Sequence, residues 1–255
     1  MKNINDILQS YRQHPQIQKI SQTLNNQAHY SKIFTKGLRG STDAFIAAAM
    51  YLDTTHHHFF ILSDKEEAAY FLNNLQSLLD KKNILFFPDS FKRPQQLIEL
   101  NNNNILLRTE TINRITQTST KRELIVSYPE ALFEKVVKAE ELAQQTLHLK
   151  KGELFDIDFA IDLLVSFEFE RVEFVYEPGQ FSIRGGIVDI YSYGNEYPYR
   201  IELLGNEIES IRTFDPISQL SLKNIERVAI VPNIQTHFRN TTKTSVLNTL
   251  PTNTV

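Results

Sequence analysis

Up to about residue 145, short unbroken apolar runs alternate with stretches whose apolar residues recur at helical spacing; from Leu147 onward the rhythm shifts toward period two. In the first part, residues 31–35 read as a short strand and 43–52 (DAFIAAAMYL) as a helix. Phe59 to Leu62 is a buried strand that runs into Ser63-Asp-Lys-Glu66, a capping-box signature for the next helix. Phe71, Leu72, Leu75, Leu78 and Leu79 form that helix's apolar stripe. Further strands follow at 84–87 and 124–126, and Ser127-Tyr-Pro-Glu130 repeats the capping logic before a helix expected to run through Val137. The polar run 101–104 is a loop or a helix end. Strand, cap and helix in repetition predict a parallel sheet covered by helices.

The second part begins with a helix over 156–166 and continues as short strands at 171–177, 180–184, 187–191, 199–204 and 207–214. Pro178-Gly179 suits a type II turn, in which glycine takes the positive φ. Gly194-Asn195 and Gly205-Asn206 are further turns, and Gly185-Gly186 reads as a bulge or a close backbone approach. The sum is a small antiparallel sheet. Side chains alternate across such strands, so Phe181 and Ile183 share one face while Ser182 and Arg184 share the other. Arg184 then points outward, either as a solvated sheet arginine or as a planar, bidentate donor for a partner's carboxylate.

The expected class is therefore α/β. A helicase-like parallel α/β domain with a degenerate phosphate loop spans 1–145, and a smaller β-rich α+β domain spans 146–233. Residues 234–255, Thr- and Asn-rich and without strong pattern, read as the start of a further segment of a longer protein. The net charge of -3 gives no bulk attraction to nucleic acid, and the absence of cysteine removes disulfide and thiolate chemistry. The N-terminus lacks the apolar core of a signal peptide, and no stretch reaches the ~20 apolar residues of a membrane span. A cytoplasmic protein is expected.

The segment Gly37-Leu-Arg-Gly40-Ser-Thr42-Asp43-Ala44 sits where a P-loop would. Against G-x-x-x-x-G-K-[ST], Thr42 replaces the second glycine, Asp43 the lysine and Ala44 the magnesium-binding hydroxyl. A carboxylate ~4 Å from a phosphate adds several kcal/mol of repulsion even at a moderate dielectric. Asp43 is better suited to the N-terminus of a helix. His56-His57-His58 alternates faces along a strand approach and reads as a solvated or edge-satisfied run, not a metal site. No catalytic, metal or cofactor-binding residues emerge.

PGQFSIRGGIVDI (178–190) and YPYRIELLGNEIESIRTFDPISQLS (197–221) resemble a domain shared by bacterial transcription-repair coupling factors and the excinuclease subunit UvrB, where it is the second domain. The resemblance covers roughly 31–232 and is strongest over 171–221. Two departures favour the coupling factors. UvrB resembles a helicase with an intact phosphate loop, and here Phe86-Phe-Pro-Asp-Ser-Phe91 runs into a polar segment without UvrB's Tyr-rich hairpin. The resemblance implies an ATP-dependent DNA translocase that displaces stalled RNA polymerase from double-stranded DNA, with its motor and polymerase-binding regions outside this chain. This chain would be its non-catalytic N-terminal module, docking the excinuclease subunit UvrA through a face normally masked in the intact protein. Carried over by residue, that face comprises Arg171, Phe181, Arg184 and Gly185, with Tyr191 nearby. The plain alternative pairs Arg171 and Arg184 with Glu173 or Asp189 inside the sheet. Competing readings are the N-terminal part of a UvrB-like ATP-dependent helicase, or a DNA-binding module with salt-sensitive affinity.

Overall fold

The computed structural model describes residues 3–26, 31–93, 96–116, 121–234, 236–238 and 242–255. The chain forms two compact units interleaved in sequence. One gathers Met1–Pro88, Ile115–Phe133 and Leu250–Val255; the other gathers Asp89–Arg114 and Glu134–Thr249. No described helix is long and apolar enough to cross a membrane.

The first unit holds α1 (Ile4–Arg12), α2 (Pro15–Asn25), α3 (Thr42–Asp53), β1 (His58–Ile61), α4 (Lys65–Leu78), β2 (Ile84–Phe87), β5 (Leu124–Ser127) and α6 (Pro129–Phe133). Its sheet runs β1-β5-β2, all parallel, with Phe59 and Leu85 both in register with Ile125. Leu124, Ile125 and Val126 are fully buried, as a central parallel strand covered on both faces requires. At the start of α4 the Asp64 carboxylate accepts the Glu67 N–H at 2.8 Å. Glu67, one residue beyond the expected Glu66, accepts back from the Ser63 N–H and hydroxyl. Phe71 and Leu75 of the predicted stripe are buried in the core.

Three expectations here change. Residues 31–39 form no strand and lead irregularly into α3. The helix after Ser127 stops at Phe133, because Val136 and Val137 leave as a buried strand instead. The end of the patternless C-terminal stretch, Leu250–Val255, belongs to the first unit: Val255 donates to the His57 carbonyl and accepts from the Phe59 N–H, both at 2.8 Å, parallel to β1.

The second unit opens with an antiparallel pair, β3 (Phe91–Arg93) and β4 (Gln96–Leu100), where the sequence predicted only a polar segment; residues 94–95 lie outside the described ones. Then come α5 (Asn102–Thr116), β6 (Val136–Val137), α7 (Ala139–Gln144), β7 (Leu147–Lys150) and α8 (Ile157–Ser166). Asp156 caps α8 by accepting the N–H groups of Asp158 and Phe159. Six strands follow as one sheet: β8 (Glu170–Arg171), β9 (Gln180–Arg184), β10 (Ile187–Ile190), β11 (Tyr199–Leu204), β12 (Glu207–Phe214) and β13 (Ser221–Ile225). Two short strands complete the unit, β14 (Arg227–Ile230) against β7 and β15 (Lys243–Thr244) against β6.

The sheet is antiparallel except at its edge, where β8 runs parallel to β9. The hairpin expected from 171–177 and 180–184 is therefore absent. Residues 172–179 form a loop instead, three of whose backbone groups (the Glu173 carbonyl and the Tyr176 and Glu177 N–H) are taken by side chains of β9. Gly185-Gly186 is a two-residue hairpin turn, not a bulge, and the close approach is real: a Cβ on Gly186 would lie 3.0 Å from the Leu203 carbonyl oxygen. One face of the sheet is core, with Phe181, Val188, Ile190, Ile201 and Ile211 almost completely buried.

Candidate functional site

The other face of the sheet is polar. Strand register sets Ser182, Asp189, Arg200, Arg212 and Asn224 side by side from β9 to β13. Asp189, without solvent exposure, lies between two guanidinium groups. Arg200 donates to it twice, Nε to Oδ1 and Nη2 to Oδ2, each at 2.8 Å, while Arg184 Nη2 reaches Oδ2 at 2.6 Å. Hydrogen bonding to Asp189 raises the Arg200 pKa further above its ordinary value, against the opposing effect of burial. Two cations on one carboxylate leave one positive charge in excess. It faces water at Arg184, whose side chain is 33% exposed against 13% for Arg200. Glu202 pairs with Arg212 on the same face.

Each central guanidinium also stacks on a ring. Arg184 lies 4.7 Å from the Phe174 centroid and Arg200 4.4 Å from that of Phe214. Phe214 lies on this face by alternation along β12, two residues beyond Arg212. The loop 172–179 is clamped by alternate residues of β9, which share a face by strand periodicity. Gln180 accepts the N–H groups of Tyr176 and Glu177 through Oε1, while Ser182 Oγ and Arg184 Nη1 both donate to the Glu173 carbonyl.

Of the residues selected from sequence, Arg184 and Gly185 lie together, Gly185 as an exposed turn residue at φ 60°. Phe181 has no exposure and its ring packs in the core, so it offers a partner no contact area. Arg171 is exposed on edge strand β8, in register with Phe181, and thus on the face opposite Arg184. It forms no ion pair among the described residues. Tyr191 is mostly buried; its hydroxyl donates to the Glu196 carbonyl at 2.6 Å, and burial pushes its pKa up to about 12. Sequence reasoning named Asp189 as an in-sheet partner for Arg184, which the structure bears out, but passed over Arg200 and Phe174. Alternation along β11 marks Arg200 as a surface position, but only the register reveals that it shares a carboxylate with Arg184.

Around Asp43, the carboxylate accepts the Ala44 N–H at 2.7 Å and Thr42 Oγ1 donates to the Arg39 carbonyl at 2.6 Å. Gly37 and Gly40 both have positive φ, but among the described residues no strand leads into this segment as a phosphate loop requires. The three histidines are buried, contrary to the solvated reading. His57 Nδ1 accepts the Glu123 N–H at 3.1 Å, and His58 Nε2 lies 2.7 Å from Thr54 Oγ1. Among the described residues, no group of side chains is arranged to hold a metal ion.

The family model of the UvrB interaction domain matches residues 147–238, which contain the whole six-stranded sheet. The transcription-repair-coupling factor of Bacillus subtilis (strain 168) is 28% identical over 197 residues, 77% of this chain and 16% of that protein. Its counterpart in Staphylococcus aureus (strain MRSA252) is 33% identical over 173 residues, 63% of this chain and 15% of that protein. The chain thus spans less than a fifth of the length of these relatives. Residues 147–238 match the UvrB interaction domain, and most of the chain is similar to transcription-repair coupling factors, which is the resemblance read from the sequence.

Proposed function

We propose that this chain is a non-catalytic adaptor module that docks the excinuclease subunit UvrA through the polar face of its six-stranded sheet. The observation that carries the reading is the Arg184–Asp189–Arg200 group. A buried carboxylate holds two guanidinium groups in fixed positions, and the uncompensated charge points outward beside the exposed ring of Phe174. Interfaces draw their affinity from a few anchors of this kind, with arginine and aromatic residues enriched among them. Arg171 is also exposed, at the sheet edge, but it lies on the side opposite Arg184, so Arg184 is the anchor of this face.

In the parent protein, the module would bring the excision machinery to RNA polymerase stalled on double-stranded DNA, while translocation and polymerase binding reside in other regions. A nucleotide site in this chain is disfavoured by Asp43, whose carboxylate accepts the Ala44 N–H in the first turn of α3, where a phosphate loop presents free donors. The test is a titration of this chain against purified UvrA, with the Arg171→Ala/Arg184→Ala variant alongside. We expect binding by the wild type and a loss of at least tenfold in the folded double variant. Equal affinity of the two proteins would refute the assignment of the face.

A further inference from the structure

Two loops rise over the polar face, and both turn apolar side chains to water. Phe174 and Tyr176 on the first are 42% and 56% exposed, and Ile217 and Leu220 on the second are 88% and 68% exposed. Single exposed apolar residues are ordinary; four on two adjoining loops beside an outward guanidinium are not.

Neither loop is loose. In the second, the Asp215 carboxylate accepts the N–H groups of Ile217 and Ser218 and the Ser218 hydroxyl, while the Asp215 N–H donates to the Leu220 carbonyl at 2.9 Å. The bonds from Ser218 hold the Asp215 carboxyl below its usual pKa. Gln219 then joins the loops. Its Nε2 donates to the Val175 carbonyl at 3.2 Å and to the Pro216 carbonyl at 2.7 Å, and its Oε1 accepts from Arg200 Nη2 at 3.3 Å. It does so from φ 61°, a conformation that residues other than glycine rarely adopt. A strained residue whose side chain ties two apolar loops to the buried ion group has a positioning geometry.

We infer that Ile217 and Leu220, with Phe174 and Tyr176, form the apolar half of the docking face, and that Gln219 positions them against Arg184. This rests on the docking reading above. The surface of UvrA that it fits carries a carboxylate for the excess positive charge, flanked by an apolar patch that seats the two loops. Holding both loops beforehand lowers the ordering cost of binding.

The experiment measures the affinity of the whole chain for UvrA in four proteins: wild type, Ile217→Ser/Leu220→Ser, Gln219→Ala, and Leu154→Ser. Leu154 is 82% exposed but pairs with Glu207 at the opposite end of β12, so its substitution is the control. The double serine variant and Gln219→Ala should each bind about tenfold more weakly, a loss typical of interface anchors. Leu154→Ser should bind like wild type. The double serine variant should keep its melting temperature and the salt dependence of binding, because the charges remain; loss of Arg184 should flatten that dependence. Wild-type affinity in the double serine variant overturns this inference and leaves the docking reading standing. Failure of the wild type to bind UvrA overturns both.

Discussion

Asp189 and Arg200 face each other across the β10–β11 register and are joined by two parallel hydrogen bonds of 2.8 Å, with the carboxylate wholly out of water. Bidentate pairing fixes the plane of the guanidinium as well as its position. That geometry makes the pair a foundation for Arg184, which shares the same carboxylate.

Asp189→Asn should therefore destabilise the second unit by about 3 kcal/mol, because two guanidinium groups lose their common counter-charge in a partly dry site. Urea unfolding monitored on this unit measures it; a change below about 1 kcal/mol would show that the pair contributes little.

Arg184→Lys separates charge from fork geometry. Lysine keeps the cation but cannot serve the Glu173 carbonyl, Asp189 and the Phe174 ring together. UvrA affinity should fall between those of wild type and Arg184→Ala. Full affinity in the lysine variant would reduce the role of Arg184 to charge alone.

Phe181→Ala should act on stability before binding. The ring is fully buried, and truncating such a residue costs about 3–5 kcal/mol. Thermal melting should report the loss, and residual folded protein should bind UvrA with unchanged affinity.

Gly179→Ala meets two obstacles. Its φ is 86°, and the added methyl would overlap the Tyr193 hydroxyl. A cost of about 2 kcal/mol or more is expected from strain and overpacking together, read as a lowered midpoint in denaturant.

His58 makes the first unit sensitive to acid. Burial foremost, then the nearby charges of His56, Arg122 and His57, push its pKa down to about 4. The unfolded chain takes up a proton near 6.5 while the folded one refuses it, so stability is full above pH 6.5 and declines as pH falls toward 4. At about 1.4 kcal/mol per pKa unit, roughly 3 kcal/mol is at stake. Unfolding of the wild type and His58→Gln at pH 7.5 and 5 should show a steeper loss for the wild type; parallel behaviour would contradict the assignment.

Much of the fold was legible. The 59–62, 84–87 and 124–126 runs lie as a parallel sheet, and Asp156 begins its helix where the pattern placed it. The errors share a cause. Residues 172–177 have strand composition, but the Glu173 carbonyl and the Tyr176 and Glu177 N–H groups are claimed by the side chains of Gln180, Ser182 and Arg184, which the local pattern does not reveal. Val136 and Val137 continue a helical rhythm, yet Thr244 and Lys243 offer them a ladder more than a hundred residues away.

By itself the sequence determined the period of most elements, the turns that require glycine, and which side of β9 Arg184 occupies, because these depend on neighbours a few residues apart. Only the tertiary structure decided that Phe181 is core, that Arg184 and Arg200 share Asp189, that Gln219 binds one loop to the other, and that residues 253–255 return to β1. Those outcomes depend on strand register and on long-range competition for hydrogen-bond partners. Both are set when distant segments meet, and neither is encoded in the spacing along a single strand.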